Sequence, residues 1–357
     1  MKLNSPRISQ EDILTQLRSK VEPQIKSVKI IALAGDASNR SYYRLEAEID
    51  HSAPRTFILM VLADPEPFKQ SEEKVSGKGE TLEIPFINIQ RYMRSAGIAV
   101  PEIYYHDVVK GFIYLEDLGD LTFEQKVKKG PASDWTTFYR RAVDHLIRIQ
   151  NARREAGPQC IAFDRGYDRN LLNWEFDHFI EFGIEKRANA TLPPDERDFI
   201  RNAFAEMSDK IASEAQVLVH RDYHSRNLMV QGERLRVIDF QDALLGPPQY
   251  DLASLLRDCY MTLSEDLIDQ LVEYYLDHAG ALPVNRKSFR YLLDIASLQR
   301  NMKAAGRFVF IDQVKKNPNF LQYVPKALKD ISCNLAKYPE FKDLKTMLAK
   351  YIPELES

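Results

Sequence analysis

Apolar residues in the first third of the chain recur mostly at alternating spacing, and in the remainder mostly at helical spacing. ISQEDILTQL (8–17) opens with Ser9 ahead of acidic residues, an N-cap signal that predicts a short helix. KSVKIIALAGDASNRSYYRLEAEI (26–49) is β-branched up to Gly35 and alternates again from Ser41, predicting strand, turn, strand. RTFILMVLADPEP predicts a third strand, stopped by Pro65 and Pro67. The polar, Gly-containing FKQSEEKVSGKGE (68–80) reads as a mobile loop. FINIQRYMRSAGI (86–98) has helical spacing and ends at Gly97, and VPEIYYHDVVKGFIYLEDL gives a hairpin turning near Lys110 and Gly111. Beyond Gly119 the pattern is helical except around 217–243, so the predicted class is α+β.

A 357-residue chain is long for one ordinary core and suits two lobes around a cleft. The net charge of −3 gives no basic field of the kind nucleic acid requires. Runs such as KVKKG (126–130) and the lysines at 315–316 read as solvated helix faces. Cys160, Cys259 and Cys333 stand far apart without metal spacing, and an odd, sparse set suits a reducing compartment. No apolar run reaches membrane-spanning length and the N-terminus lacks a signal-peptide core, so a cytoplasmic protein without a membrane partner is expected.

The segment VLVHRDYHSRNLMVQGERLRVIDFQDA (217–243) carries the chemistry. It reads as a strand, a turn holding His220, Asp222 and Asn227, a second apolar segment, and Asp239 at the end of LRVID, 17 residues after Asp222. Any one of these is an ordinary turn residue. Together, on strand ends and tight turns, they match the H-R-D-x-x-x-x-N and D-F-x pattern of phosphoryl-transfer enzymes. Asp222 is then the candidate to orient the acceptor hydroxyl, and Asn227 and Asp239 are candidate ligands for Mg2+ against the phosphates of ATP. Three strands, a helix and two strands upstream give the element order of a kinase N-lobe. The expected architecture is a two-lobed protein-kinase-like fold. A small, mainly β, nucleotide-binding N-lobe spans 1–118, and a larger, mainly α C-lobe (119–357) carries catalysis and the acceptor site.

The acceptor is expected to be small. Protein kinases follow the metal-binding Asp with a long activation segment, whereas here a helix begins near GPPQYDLASLLRD, with Asp251 only 12 residues after Asp239. Gln241 stands where the Gly of D-F-G would be. His224 replaces the Lys common two residues after the catalytic Asp.

At GDASNRSYYRL (35–45), YLEDLGD (114–120), HRDYHSRNLM (220–229), VIDFQDALLGPPQYDLASLLRDCY (237–260) and LQRNMKAAGRF (298–308) the chain resembles the aminoglycoside phosphotransferase and choline kinase-like small-molecule kinases. Within that group it is most similar to the bacterial anomeric N-acetylmuramate/N-acetylglucosamine kinases. The resemblance implies ATP with magnesium and phosphorylation of a sugar's anomeric hydroxyl in cell-wall (peptidoglycan) sugar recycling. It also implies that Asp251, which by position reads as a helix N-cap, is a buried brace for the catalytic loop.

The nucleotide cleft departs from the kinase pattern. The turn Gly35–Arg40 should lie over the phosphates, where Gly35, Ser38 and Asn39 let backbone N–H groups approach and Arg40 adds charge; the same residues are equally ordinary hairpin chemistry. Backbone groups near Glu116 and Leu118 should meet adenine. Met60 occupies the place of the usual strand-three Lys, and the helix after it offers no acidic partner. Arg40 or Arg44 is the expected substitute, with Lys69, Lys74 or Lys78 behind them. For the acceptor, Trp174, Glu175, His178, Gln299, Arg300 and Asn301 supply an aromatic face and polar groups, although Trp174 on an amphipathic helix also reads as core. A different small alcohol as acceptor, or a nucleotide-binding scaffold without turnover, are the competing readings.

Overall fold

The computed structural model describes residues 8–33, 40–50, 52–62, 83–154 and 157–356. Gly35, Ser38 and Asn39 of the expected phosphate turn, and the loop 68–80 with Lys69, Lys74 and Lys78, lie outside the described residues.

The N-lobe opens with α1 (Gln10–Lys20), capped by the Ser9 side chain accepting from the Asp12 N–H. Then come β1 (Ile25–Ala32), β2 (Arg40–Ile49), β3 (Arg55–Leu62), α2 (Pro85–Ser95), β4 (Ile103–Asp107) and β5 (Phe112–Glu116). The strands form one antiparallel sheet in the order β1-β2-β3-β5-β4. Alternation along β3 sends Phe57, Leu59 and Val61 to the face covered by Ile13 and Leu17 of α1. Met60 and Leu62 point the other way, into a core shared with α2 and the C-lobe. Burying Ile13 and Leu17 contributes roughly 1.5–3 kcal/mol each, which fixes α1 to the sheet.

The C-lobe contains α3 (Phe123–Lys129), α4 (Trp135–Gln150), α5 (Arg169–His178), α6 (Pro194–Ala212), α7 (Pro248–Leu256), α8 (Glu265–His278), α9 (Arg286–Gln313), α10 (Val324–Ala336) and α11 (Lys342–Ala349). Two short antiparallel pairs interrupt them: β6 (Val217–Val219) with β9 (Leu244–Gly246), and β7 (Leu228–Gln231) with β8 (Arg234–Val237). Between Asp239 and α7 there is thus only one short strand, and no room for a peptide platform. The two-lobed kinase-like α+β fold expected from the sequence is the one observed.

α9 is the spine of this lobe. It packs against α5, α6, α7 and α10 and against the π-helical turn Phe179–Lys186 into which α5 continues. Gly306 permits that approach. A Cβ there would stand 3.0 Å from the Phe179 Cα and 3.3 Å from the His178 carbonyl oxygen, so any larger residue would push the helices apart. Among the described residues no helix is long and apolar enough to cross a membrane.

Candidate active site

The candidate catalytic loop, residues 220–227, lies between β6 and β7 and is held by buried carboxylates. Asp251 accepts the His220 N–H through Oδ2 (2.6 Å) and the Arg221 N–H through Oδ1 (3.0 Å). It sits within α7, whose N-cap is Pro247, so the N-cap reading of Asp251 gives way to the brace. Asp258 accepts the N–H groups of Ser225 (2.9 Å) and Tyr260 (2.8 Å). His220 ties the loop to the next strand: Nδ1 accepts the Asp222 N–H (3.3 Å), leaving Nε2–H to donate to the Ile238 carbonyl (2.9 Å). Arg221 (φ 76°) and Asp239 (φ 64°) both adopt left-handed backbone, a cost that clusters at functional sites.

This wiring brings the three sequence-predicted polar residues together. Leu228 pairs with Val237 in the β7–β8 hairpin, and the Ile238 N–H donates to the Asn227 carbonyl (3.0 Å), placing Asn227 and Asp239 at the same hairpin end. The Asn227 side chain donates through Nδ2 to the Asp222 carbonyl (3.0 Å), which commits its donor and keeps Oδ1 as acceptor. Asp239 is 40 % exposed, accepts from Gln241 Nε2 (2.9 Å) and faces Arg40 Nη1 at 3.7 Å. Gln241 Nε2 also donates to Asp242 (3.0 Å). Phe240, between them, stacks on Phe86 of α2 with centroids 4.8 Å apart, so the segment that carries Asp239 is packed against the N-lobe helix. An amide oxygen and one accessible carboxylate are hard donors. Among the described residues no group of three or more His, Cys, Asp and Glu could hold a metal alone. The two hard oxygen donors, Asn227 Oδ1 and the Asp239 carboxylate, would suit Mg2+ held together with phosphates.

Beneath the loop, Glu175 is the hub of a buried network. Its Oε1 accepts from Arg221 Nη2 (2.7 Å) and lies 3.3 Å from Lys303 Nζ, while Oε2 accepts from Tyr167 OH (2.6 Å) and Gln299 Nε2 (2.7 Å). Lys303 Nζ also stands 3.8 Å from Asp222 Oδ1. Burial opposes the charge on Asp222, but Lys303, foremost among the surrounding positive groups, holds its carboxyl well below the ordinary range. Asp222 is consequently an anion at neutral pH, able to accept a hydrogen bond from a hydroxyl presented in the cleft.

The sequence matches the profile of the phosphotransferase enzyme family over residues 29–285. The chain belongs to this family. The match contains the nucleotide-side strands, the catalytic segment and the α7 brace. N-acetylmuramate/N-acetylglucosamine kinase of Pseudomonas putida is 26% identical over 344 residues, covering 95% of this chain and 93% of that one. The enzyme of the same name from Neisseria meningitidis is 28% identical over 278 residues, covering 76% and 80%. Choline kinase from Cryptosporidium parvum superposes with a TM-score of 0.62 at 13% identity, covering 95% of this chain and 98% of that chain. ADP-bound aminoglycoside phosphotransferase APH(2'')-Ib gives 0.55 at 14%, covering 90% and 98%. At such identities the structures speak to the fold. The general activity is that of this group of phosphotransferases, ATP-dependent phosphorylation of a small molecule.

In this phosphotransferase the strand-three cation is absent: Met60 is fully buried, and α2 has no acidic residue. Register places Arg40, Tyr42 and Arg44 of β2 opposite Leu62, Met60 and Ile58, so both arginines share the face of Met60. They differ in their partners. Arg44 donates to Asp117 (Nε 2.7 Å, Nη2 3.1 Å) and to Asp120 (Nη1 3.1 Å, Nη2 2.8 Å), and two carboxylates already balance it. Arg40 faces Asp239, a candidate metal ligand, instead. In the interlobe link, the Glu116 N–H donates to the Glu102 carbonyl (2.9 Å) and its side chain pairs with Arg236. Its N–H is thus taken by the sheet, and any adenine contact there falls to a carbonyl or to the backbone near Leu118, whose side chain is buried.

The acceptor side departs from the sequence expectation. Glu175 is 1 % exposed and serves the catalytic loop; Arg300 is 4 % exposed, with Nε bonded to Ser254 Oγ (2.5 Å). Gln299 and Asn301 are fully buried. These polar residues of α5 and α9 point into the lobe because the loop carries backbone groups and charges that need partners there. Trp174 and His178 are half-buried and stacked, centroids 6.0 Å apart. On α9 the fold brings the Lys303 ammonium to within 3.8 Å of Asp222 Oδ1.

Proposed function

We propose that this phosphotransferase is an anomeric kinase of N-acetylated amino sugars, with N-acetylmuramate and N-acetylglucosamine as acceptors, in cell-wall sugar recycling in the cytoplasm. One observation carries the reading: the similarity to two kinases of that name runs along nearly the whole chain for one and through both lobes for the other. One charge at the cleft supports it against a cationic acceptor: Lys303, on the accessible strip of α9, stands 3.8 Å from Asp222 Oδ1. The guanidinium of Arg226 lies over the rings of Tyr260 (3.7 Å) and Tyr323 (4.6 Å), taking up aromatic faces beside the catalytic loop that could otherwise receive a quaternary ammonium.

In this reading Asp222 accepts the hydrogen bond of the anomeric hydroxyl and aims its oxygen at the phosphorus. A carboxylate of lowered pKa is a weak base, so it takes the proton late, once the oxygen has begun to bond. An anomeric hydroxyl is more acidic than an ordinary alcohol, which suits a single weak base. Asn227 and Asp239 would hold magnesium, whose charge offsets that of the phosphates when Mg-ATP is bound. The loss of the strand-three Lys favours the non-catalytic scaffold; the retention of Asp222, Asn227 and Asp239 supports a site that turns over. Phosphorus NMR after incubation with N-acetylmuramate, N-acetylglucosamine, choline and an aminoglycoside tests the proposal. An acid-labile sugar 1-phosphate is expected from the first two alone; a 6-phosphate, or product only from the last two, sinks it.

A further inference from the structure

Position 224, two residues after Asp222, carries a histidine instead of a lysine. The ring of His224 packs edge-on against Tyr260 with centroids 5.2 Å apart. The cleft nevertheless has an ammonium beside the acceptor-orienting carboxylate, and it comes from another element. Between Leu298 and Ile311 of α9 only Lys303, Ala304 and Arg307 escape full burial. Of these, Lys303 reaches to within 3.8 Å of Asp222 Oδ1.

We propose that Lys303 is a catalytic residue whose ammonium, presented from α9 beside Asp222, contacts the phosphoryl group during transfer. This rests on the kinase reading above and adds to it the group that stabilises the moving charge.

The bland alternative is a salt bridge joining α9 to α5 through Glu175. Glu175 has little need of it, since Arg221, Tyr167 and Gln299 already donate to its two oxygens. The 3.3 Å contact instead orients the lysine: one anion is buried behind the ammonium, Asp222 lies ahead of it, and its side chain stays 18 % exposed toward the cleft. Both carboxylates hold the ammonium in its charged form against burial. Gly306, one turn further on, lets α9 lie close to the α5–π junction, which sets the lysine's depth.

The chemistry balances without any change in Lys303. The acceptor oxygen bonds to phosphorus as the bond from phosphorus to the bridging nucleotide oxygen breaks. The electron pair leaves with the nucleoside diphosphate, and the acceptor proton passes to Asp222. As that carboxylate is neutralised, Lys303 loses one counter-charge while the equatorial phosphoryl oxygens are at its side, so its attraction for them is greatest during transfer.

Lys303→Met and Lys303→Arg in the full chain test this. Lys303→Met is expected to lower kcat about 10²-fold or more with sugar KM changed only a few-fold, and Lys303→Arg to recover part of that loss. Calorimetry gives an acceptor-independent readout. Lys303→Met should weaken a magnesium-bound, non-hydrolysable ATP analogue about 10-fold or more while leaving Mg-ADP unchanged, because only the former carries the transferable group. Wild-type kcat in a folded Lys303→Met protein overturns the proposal, as does equal weakening of analogue and ADP. If the Met variant does not fold, Lys303→Gln, which can still donate to Glu175, takes the same measurements. Should the wild type phosphorylate neither sugar, the acceptor reading fails while the analogue-to-ADP ratio still decides the role of Lys303.

Discussion

Asp251 lies 31 residues beyond His220, yet its carboxylate accepts the His220 backbone N–H at 2.6 Å and, with the other oxygen, the N–H of Arg221. The left-handed Arg221 turn is thereby held from α7, and it aims Asp222 at the cleft. Asp251→Ala strands two buried donors, each costing roughly 1–3 kcal/mol. A loss of about 2–5 kcal/mol in urea unfolding is expected, with turnover falling in the fraction that remains folded. Unchanged stability would show that water replaces the brace.

Asp222→Asn keeps the size of the side chain and removes the charge proposed to orient the acceptor. Turnover is expected to fall roughly 10²-fold or more while ATP affinity stays near normal. Single-turnover kinetics alongside calorimetry separate the two, and a mutant with near-normal turnover removes Asp222 from the mechanism.

Asp239→Ala removes an accessible carboxylate at the hairpin end shared with Asn227. Mg-ATP binding should weaken far more than metal-free ATP binding, since a hard cation depends on that oxygen. Equal loss for both forms in calorimetry contradicts the assignment.

The two cleft-face arginines should separate. Arg40→Ala is expected to raise the KM for ATP with little effect on the sugar, because its guanidinium stands near Asp239. Arg44→Ala instead leaves the nearly buried Asp117 without its bidentate partner, and should cost about 1–3 kcal/mol of stability with a smaller effect on ATP. The reverse pattern in ATP titrations and melting curves would exchange the roles.

His145 predicts a particular acid response. Tyr223 OH donates to the Ala142 carbonyl, so His145 Nδ1 donates to that hydroxyl, while Nε2 is buried without a hydrogen-bond partner. Burial lowers the pKa to about 4. The unfolded chain, with a pKa near 6.5, therefore binds the proton first, and stability falls as pH drops from about 6.5 to 4. The full effect is up to about 3 kcal/mol. His145→Phe should flatten this part of the pH–stability curve; an unaltered slope assigns it elsewhere.

Local signals in the sequence determined much of this protein. Alternation and turn residues reported the five N-lobe strands, and Ser9 the cap of α1, because each depends on neighbours a few positions away. Met60 as an apolar strand-three residue was equally legible, since side-chain type is read directly. The roles of Glu175, Arg300, Arg44 and Lys303 were decided only by tertiary structure. A charged residue on an amphipathic helix can face water, a ligand or a buried partner with the same periodicity. Here Arg221 drew Glu175 inward, Ser254 took Arg300, Asp117 and Asp120 took Arg44, and the close approach at Gly306 carried Lys303 to Asp222. Those choices follow from charge and hydrogen-bond partners brought together from 46 to 128 positions away, and at such separations spacing in the chain carries no information.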